Sequence, residues 1–140
     1  MKQLLFVLFM ISIVFSACSK DKDTMTGTWK LHQYVDSISG TRGHEPDGLN
    51  RSVTITFEDD GEIGTIKGVT SDYEVSGTYK LTEDHYIKVL TFEHTGDDQN
   101  EWGRKFVWAM DRLNYFDVRT KNKMDIHFNN EREKMKFRRD

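Results

Sequence analysis

From Gly27 to Arg138 apolar side chains return at every second residue, in short stretches parted by turn residues. A chain with that period buries one face only by pairing strands, so the pattern predicts an all-β domain. Val53, Ile55 and Phe57 alternate with Ser52, Thr54 and Thr56, and Tyr73, Val75, Gly77, Tyr79 and Leu81 alternate with Glu74, Ser76, Thr78 and Lys80. Asp59-Asp60-Gly61-Glu62 is a hairpin turn, because Asp-Gly supplies the positive φ that tight hairpins need. Trp29, Leu31, Gln33 and Val35 share a face of the first strand, opposite Lys30, His32 and Tyr34. Further strands are expected at Ile63–Val69, Tyr86–His94, Arg104–Met110, Leu113–Arg119, Lys123–Phe128 and Arg132–Arg138, nine in all. The stretch from Trp102 to Leu113 is read as strand, although Trp102, Phe106, Met110 and Leu113 also keep a helical spacing.

Ahead of this domain stand Met1-Lys2-Gln3, an apolar run from Leu4 to Phe15 broken only by Ser12, and Ser16-Ala17-Cys18. The run has the length of a signal-peptide core and falls short of the roughly 20 residues that span a bilayer. Small residues before Cys18 resemble the bacterial lipobox, which implies cleavage before Cys18 and lipid attachment to its sulfur. The expected organisation is therefore a lipoprotein signal peptide over 1–17, a lipidated cysteine and flexible tether over 18–25, and the β domain over 26–140. Outer-membrane anchoring follows, on the periplasmic face or the cell surface. The tether Ser19-Lys20-Asp21-Lys22-Asp23 has no hydrophobic residue, and its Lys/Asp pattern resembles the export tag of surface lipoproteins. With one cysteine in 140 residues there is no internal disulfide framework, so packing must stabilise the fold. The 20 basic and 23 acidic residues are scattered, which argues against nucleic acid as a partner.

Gly27-Thr28-Trp29-Lys30-Leu31 and Gly77-Thr78-Tyr79-Lys80-Leu81-Thr82 carry a resemblance. They are similar to the opening and mid-domain motifs of lipocalin-like (calycin) families, in particular the small lipocalin-like lipoproteins of Gram-negative bacteria. The resemblance implies an up-and-down antiparallel β-barrel of about eight to ten strands that binds a small hydrophobic or amphipathic ligand. It gives Gly27, Trp29 and Gly77 structural roles. It also implies that a basic residue near the end of the chain, Arg138 or Arg139, covers Trp29. Nine strands would put that residue at the wrong end, so either one strand is miscounted or another residue, such as Arg112, lies over Trp29.

No Gly-x-Ser-x-Gly elbow, phosphate-cradling loop or His-Glu-x-x-His helix occurs, so no catalytic residue is expected, nor a cofactor or metal. His44-Glu45 with Asp47, and the run Asp97, Asp98, Asn100 and Glu101, are read as solvated loop residues. The connections Asp36 to Asn50 and Thr95 to Gly103 are long, and strand parity puts both at the end away from Trp29. His44 and Trp102 are expected at that rim. Gln33, Phe57, Tyr73, Tyr79, Phe106, Trp108 and Tyr115 are expected to line the interior, since all lie on core-facing positions of the nine-strand scheme. The competing expectation is a filled barrel that docks another envelope protein through its rim loops.

Overall fold

Eight antiparallel strands close into a barrel in the computed structural model, which describes residues 24–83 and 85–139. The expectations for the signal peptide, Cys18 and most of the tether fall outside these residues. Strand β1 (Gly27–Asp36) is followed by a short β2 (Arg42–His44), then β3 (Thr54–Asp60), β4 (Ile63–Val69), β5 (Glu74–Thr82) and β6 (Tyr86–His94). Helix α1 (Glu101–Met110) separates these from β7 (Leu113–Thr120), β8 (Lys123–Phe128) and β9 (Glu133–Arg138). Neighbours in sequence are neighbours in space from β3 to β9, and β1 closes the ring by pairing both β3 and β9. The ring closes most sparsely between β6 and β7, which are in register at Tyr86↔Tyr115 with Phe116 N–H donating to His85 O at 3.1 Å; β2 extends the sheet beside the second half of β1, which β3 does not reach.

The expected strand Arg104–Met110 is a helix. Asn100 caps it, its side-chain oxygen accepting from Gly103 N at 2.8 Å, and Trp102, Phe106, Ala109 and Met110 form its buried stripe. Helical spacing prevails because only one face of the segment is covered: the stripe lies over the barrel end while Arg104 stays in water. This change removes one crossing of the barrel and returns the chain terminus to the Trp29 end. There Arg139 lies over the Trp29 ring, 4.1 Å from its centroid, and donates to the carbonyls of Thr26 (3.0 Å) and Lys121. Trp29 is fully buried and donates from Nε1 to Met25 O at 2.8 Å. At Gly27 φ is +121°, a conformation that favours glycine, and a Cβ there would push aside the Arg139 guanidinium, 2.5 Å away. Arg138 instead points outward, donating to His32 Nδ1 at 3.0 Å, and Arg112 stacks on Trp108.

Two bulges reverse the faces expected for parts of β1 and β7. The β1–β9 register steps from Leu31↔Phe137 to Gln33↔Lys136, so one extra residue is accommodated at His32. Beyond it Tyr34 enters the core, while Gln33 is buried under β2 rather than in the interior. The β7–β8 register skips Asn114 in the same way, turning Phe116 inward and Tyr115 outward, where Tyr115 stacks on His127 at 4.2 Å. Of two further register shifts, one is in β7 at Val118/Thr120 and one at Thr78/Tyr79 beside Gly77, where a Cβ would meet the Thr91 carbonyl oxygen of β6 at 2.2 Å.

His32 and His127 are held below the ordinary imidazole value of 6.5. Burial is the main cause for both, with Arg138 and Lys136 adding to it at His32 and Lys134 at His127, partly opposed by Asp125. Since the unfolded chain binds protons more readily than the fold at these two sites, their contribution is complete above about pH 6.5 and is lost as pH falls through the lowered values. Melting temperature is therefore expected to drop between pH 7.5 and 5.5, with a smaller drop in a His32→Gln/His127→Gln variant; equal drops would exclude the two imidazoles as the cause.

Candidate functional site

The barrel axis is occupied. Phe57, Tyr79 and Phe106 are at most 1% exposed, and Phe57 meets Tyr79 edge-on at 5.6 Å. Burial, aided by Asp59, pushes the Tyr79 phenol up to about 12, so it stays neutral. Of the other residues expected to line the interior, Tyr73 is half-buried against Gly96 at the head of β5. Trp108 is 39% exposed on the outer side of α1, and Tyr115 is on the outer wall. The aromatic side chains that reach the interior therefore fill it.

His44 and Trp102, in contrast, meet at the rim as strand parity predicts. Asp36 ends β1 by accepting from the backbone N–H of Ile38 (2.8 Å) and Ser39 (3.0 Å), which also lowers its carboxyl pKa and folds the first loop back as β2. On the other side of the rim Asp98 is buried, accepting from Thr70 Oγ1 (2.7 Å) and Asp72 N (3.2 Å). The expected solvated loop is thus a tie between the β4–β5 turn and the start of α1. Gly103 is where Asp98 packs, since a Cβ there would overlap its carboxylate. Tyr34, turned inward by the bulge, donates to Trp102 O at 3.0 Å and packs edge-on against the indole at 4.6 Å. Burial, with Glu133 nearby, raises the Tyr34 phenol well above its ordinary value, so it remains a donor.

Between β2 and α1 lies an open-sided hollow of about 440 Å³, lined by Tyr34, Asp36, Arg42, His44, Glu101, Trp102, Lys105 and Glu133. Lys105 is paired with Glu133 at 2.6 Å and lies over the Tyr34 ring, and Glu133 also accepts from Asn129. Asp36 is committed to its turn, and Gln33 Nε2 lies 3.3 Å from His44 Nε2. Two donors are left over. Trp102 Nε1 is buried with no hydrogen-bond partner among the described residues, and Arg42 makes no ion pair with them. The hollow therefore offers an aromatic wall with the exposed Arg42 guanidinium at its side. Arg42, Lys105 and Glu133 were not legible in the sequence as site residues, because their meeting depends on where α1 crosses the barrel end.

A larger hollow, about 580 Å³, lies along β3–β6 and is lined by Thr54, Lys67, Ser76 and Glu93 among others. None of its polar side chains is both buried and unpartnered, so nothing there calls for a ligand. Among the described residues no group of three or more His, Cys, Asp or Glu side chains converges as a metal site.

A closed eight-strand antiparallel barrel with one helix across its end defines a lipocalin-like domain. Residues 14–120 match the family described as a C-terminal lipocalin-like domain (GH43_C), and the chain belongs to that family. It is similar in fold to a protein from Burkholderia xenovorans solved by NMR, at 18% identity and a TM-score of 0.58, covering 81% of each chain. It is equally similar to the crystal structure of a DUF4847-family protein from Bacteroides vulgatus, at 17% identity and a TM-score of 0.58, covering 82% of this chain and 93% of that one. No curated protein matches the chain.

Proposed function

We propose that this chain is a membrane-anchored lipocalin-like lipoprotein that binds a small amphipathic molecule at its rim, in the hollow between β2 and α1. The observation that carries the reading is the hollow itself, whose 440 Å³ falls within the range of small-molecule sites and whose lining joins Tyr34 and Trp102 to Arg42. Tyr34 and Trp102 supply the apolar wall and Arg42, without an ion pair among the described residues, a cation for the polar end. The anchor rests on the sequence Ser16-Ala17-Cys18 behind its apolar run.

Native mass spectrometry of the detergent-extracted protein is expected to reveal a co-purified small molecule and a lipid-modified Cys18. Arg42→Gln, at an exposed position, is expected to weaken binding of that molecule about five- to tenfold, the worth of one hydrogen bond, with no change in melting temperature. Unchanged affinity in Arg42→Gln and Trp102→Phe would remove the site from the rim. The filled interior favours a second reading, a module that docks another envelope protein through Trp108 and Arg112 on the outer side of α1. A bare protein mass together with a saturable protein partner would select it.

A further inference from the structure

On the outer wall at the Trp29 end, cations stand in register. Lys30 of β1 is paired with Arg138 of β9, and Arg138 with Lys123 of β8, so three exposed basic side chains form one row across adjacent strands. Strands in a sheet lie about 4.8 Å apart, and like charges placed directly opposite each other destabilise it. Exposed Lys121, in the β7–β8 turn, extends the row beyond the strand ends. Little within the described residues offsets this charge. Lys30 has a loose partner in Glu45 at 3.7 Å, Arg138 contacts the neutral His32 ring, and Lys121 and Lys123 have no carboxylate within 4.0 Å among them. One row further along β8 and β9 the situation differs, because Asp125 answers Arg119 and Lys134. The other half of this barrel end mixes Asp59, Glu62 and Glu83 with Lys80 and Lys88, so among the described residues the cations with fewest carboxylates against them belong to β8, β9 and β1. The depressed His32 imidazole, which Arg138 and Lys136 lower beyond the effect of burial, reports the same positive field.

The chain also enters at this end. Met25 is packed beneath Trp29, and the eight residues 16–23 join Thr24 to the apolar run that closes at Phe15. That length of chain reaches at most about 30 Å. A membrane holding that run, or a lipid on Cys18, is therefore within reach of the basic row, whereas the rim hollow opens at the far end of the barrel.

We infer that the row Lys30–Arg138–Lys123, with Lys121, is the face on which the barrel rests against an anionic phospholipid surface, with the rim hollow turned away from that membrane. The inference extends the membrane reading above and is tested without the anchor. Each Lys or Arg near an anionic surface contributes about 1 kcal/mol, or about fivefold in affinity, and the effect is screened by salt.

The test is co-sedimentation of residues 24–140, whose barrel closes with its own strands, with phosphatidylglycerol/phosphatidylcholine vesicles or with phosphatidylcholine alone. Binding to the anionic vesicles at low salt, its loss at high salt and its absence on neutral vesicles are expected. Lys121→Gln/Lys123→Gln is expected to weaken it about 25-fold, while Arg104→Gln/Arg132→Gln, the same charge change at the rim end, leaves it intact. Equal loss in the two double variants would show a response to net charge and overturn the assignment of a face. Absence of binding to anionic vesicles would also overturn it, leaving the row to an acidic protein partner. Because the anchor is missing from this protein, neither failure touches the lipidation of Cys18, which the mass of the extracted chain decides.

Discussion

Trp29→Ala is expected to cost the barrel about 3–5 kcal/mol, the range for removing a large buried aromatic side chain. The indole is fully buried, its N–H is satisfied by Met25 O, and the Arg139 guanidinium covers its face, so alanine leaves a cavity at the closed end together with an uncovered cation. Domains of this size have only about 5–15 kcal/mol of stability, so the loss is a large share of the total. Urea denaturation of the variant gives the number directly. Arg139→Gln is the companion measurement: it keeps the indole but removes the cation–π contact, for an expected loss of about 0.5–2 kcal/mol. A Trp29→Ala protein that unfolds at the wild-type midpoint would show that the indole does not close the barrel.

Period-two patterning made most of this fold legible, because an alternating strand has one arrangement that buries its apolar face. Strands β3, β4, β5, β8 and β9 lie where the alternation put them, and the motif Gly27-x-Trp29 marks the closed end. What was hidden were single-residue events. The bulges at His32 and Asn114 leave no mark in the sequence, yet each exchanges the two faces of the residues that follow it, in β7 as far as a second register shift at Val118/Thr120. Tyr115 was thereby assigned inward and Tyr34 outward, and both assignments are reversed in the structure. Helix α1 illustrates a different difficulty, since Trp102, Phe106 and Met110 satisfy helical spacing while Arg104 to Met110 also alternates well enough for a strand. The mismatch between nine strands and a basic cover for Trp29 was the signal that would have decided it. Strand parity needed only β1 and β3–β6, and so it brought His44 and Trp102 to one rim before any contact was known. The charges around them were not legible, because Lys105 meets Glu133 across 28 residues and only through the path of the helix.

Phe106→Ala tests whether the barrel axis is filled or available. Phe106 is the central residue of the buried stripe of α1, fully excluded from water among residues of the barrel end, and its truncation is expected to cost about 3–5 kcal/mol. The space left is walled by apolar side chains, and such cavities stay dry and accept benzene-sized molecules. Benzene is therefore expected to raise the melting temperature of the variant, in proportion to the logarithm of its concentration above the dissociation constant, and to leave the wild type unmoved. Should Phe106→Ala fail to fold, Phe106→Leu leaves a smaller cavity and the same comparison can be made at lower cost. Stabilisation of the wild type by benzene to the same extent would mean that the lumen has room of its own, and the ligand would then belong on the axis rather than between β2 and α1.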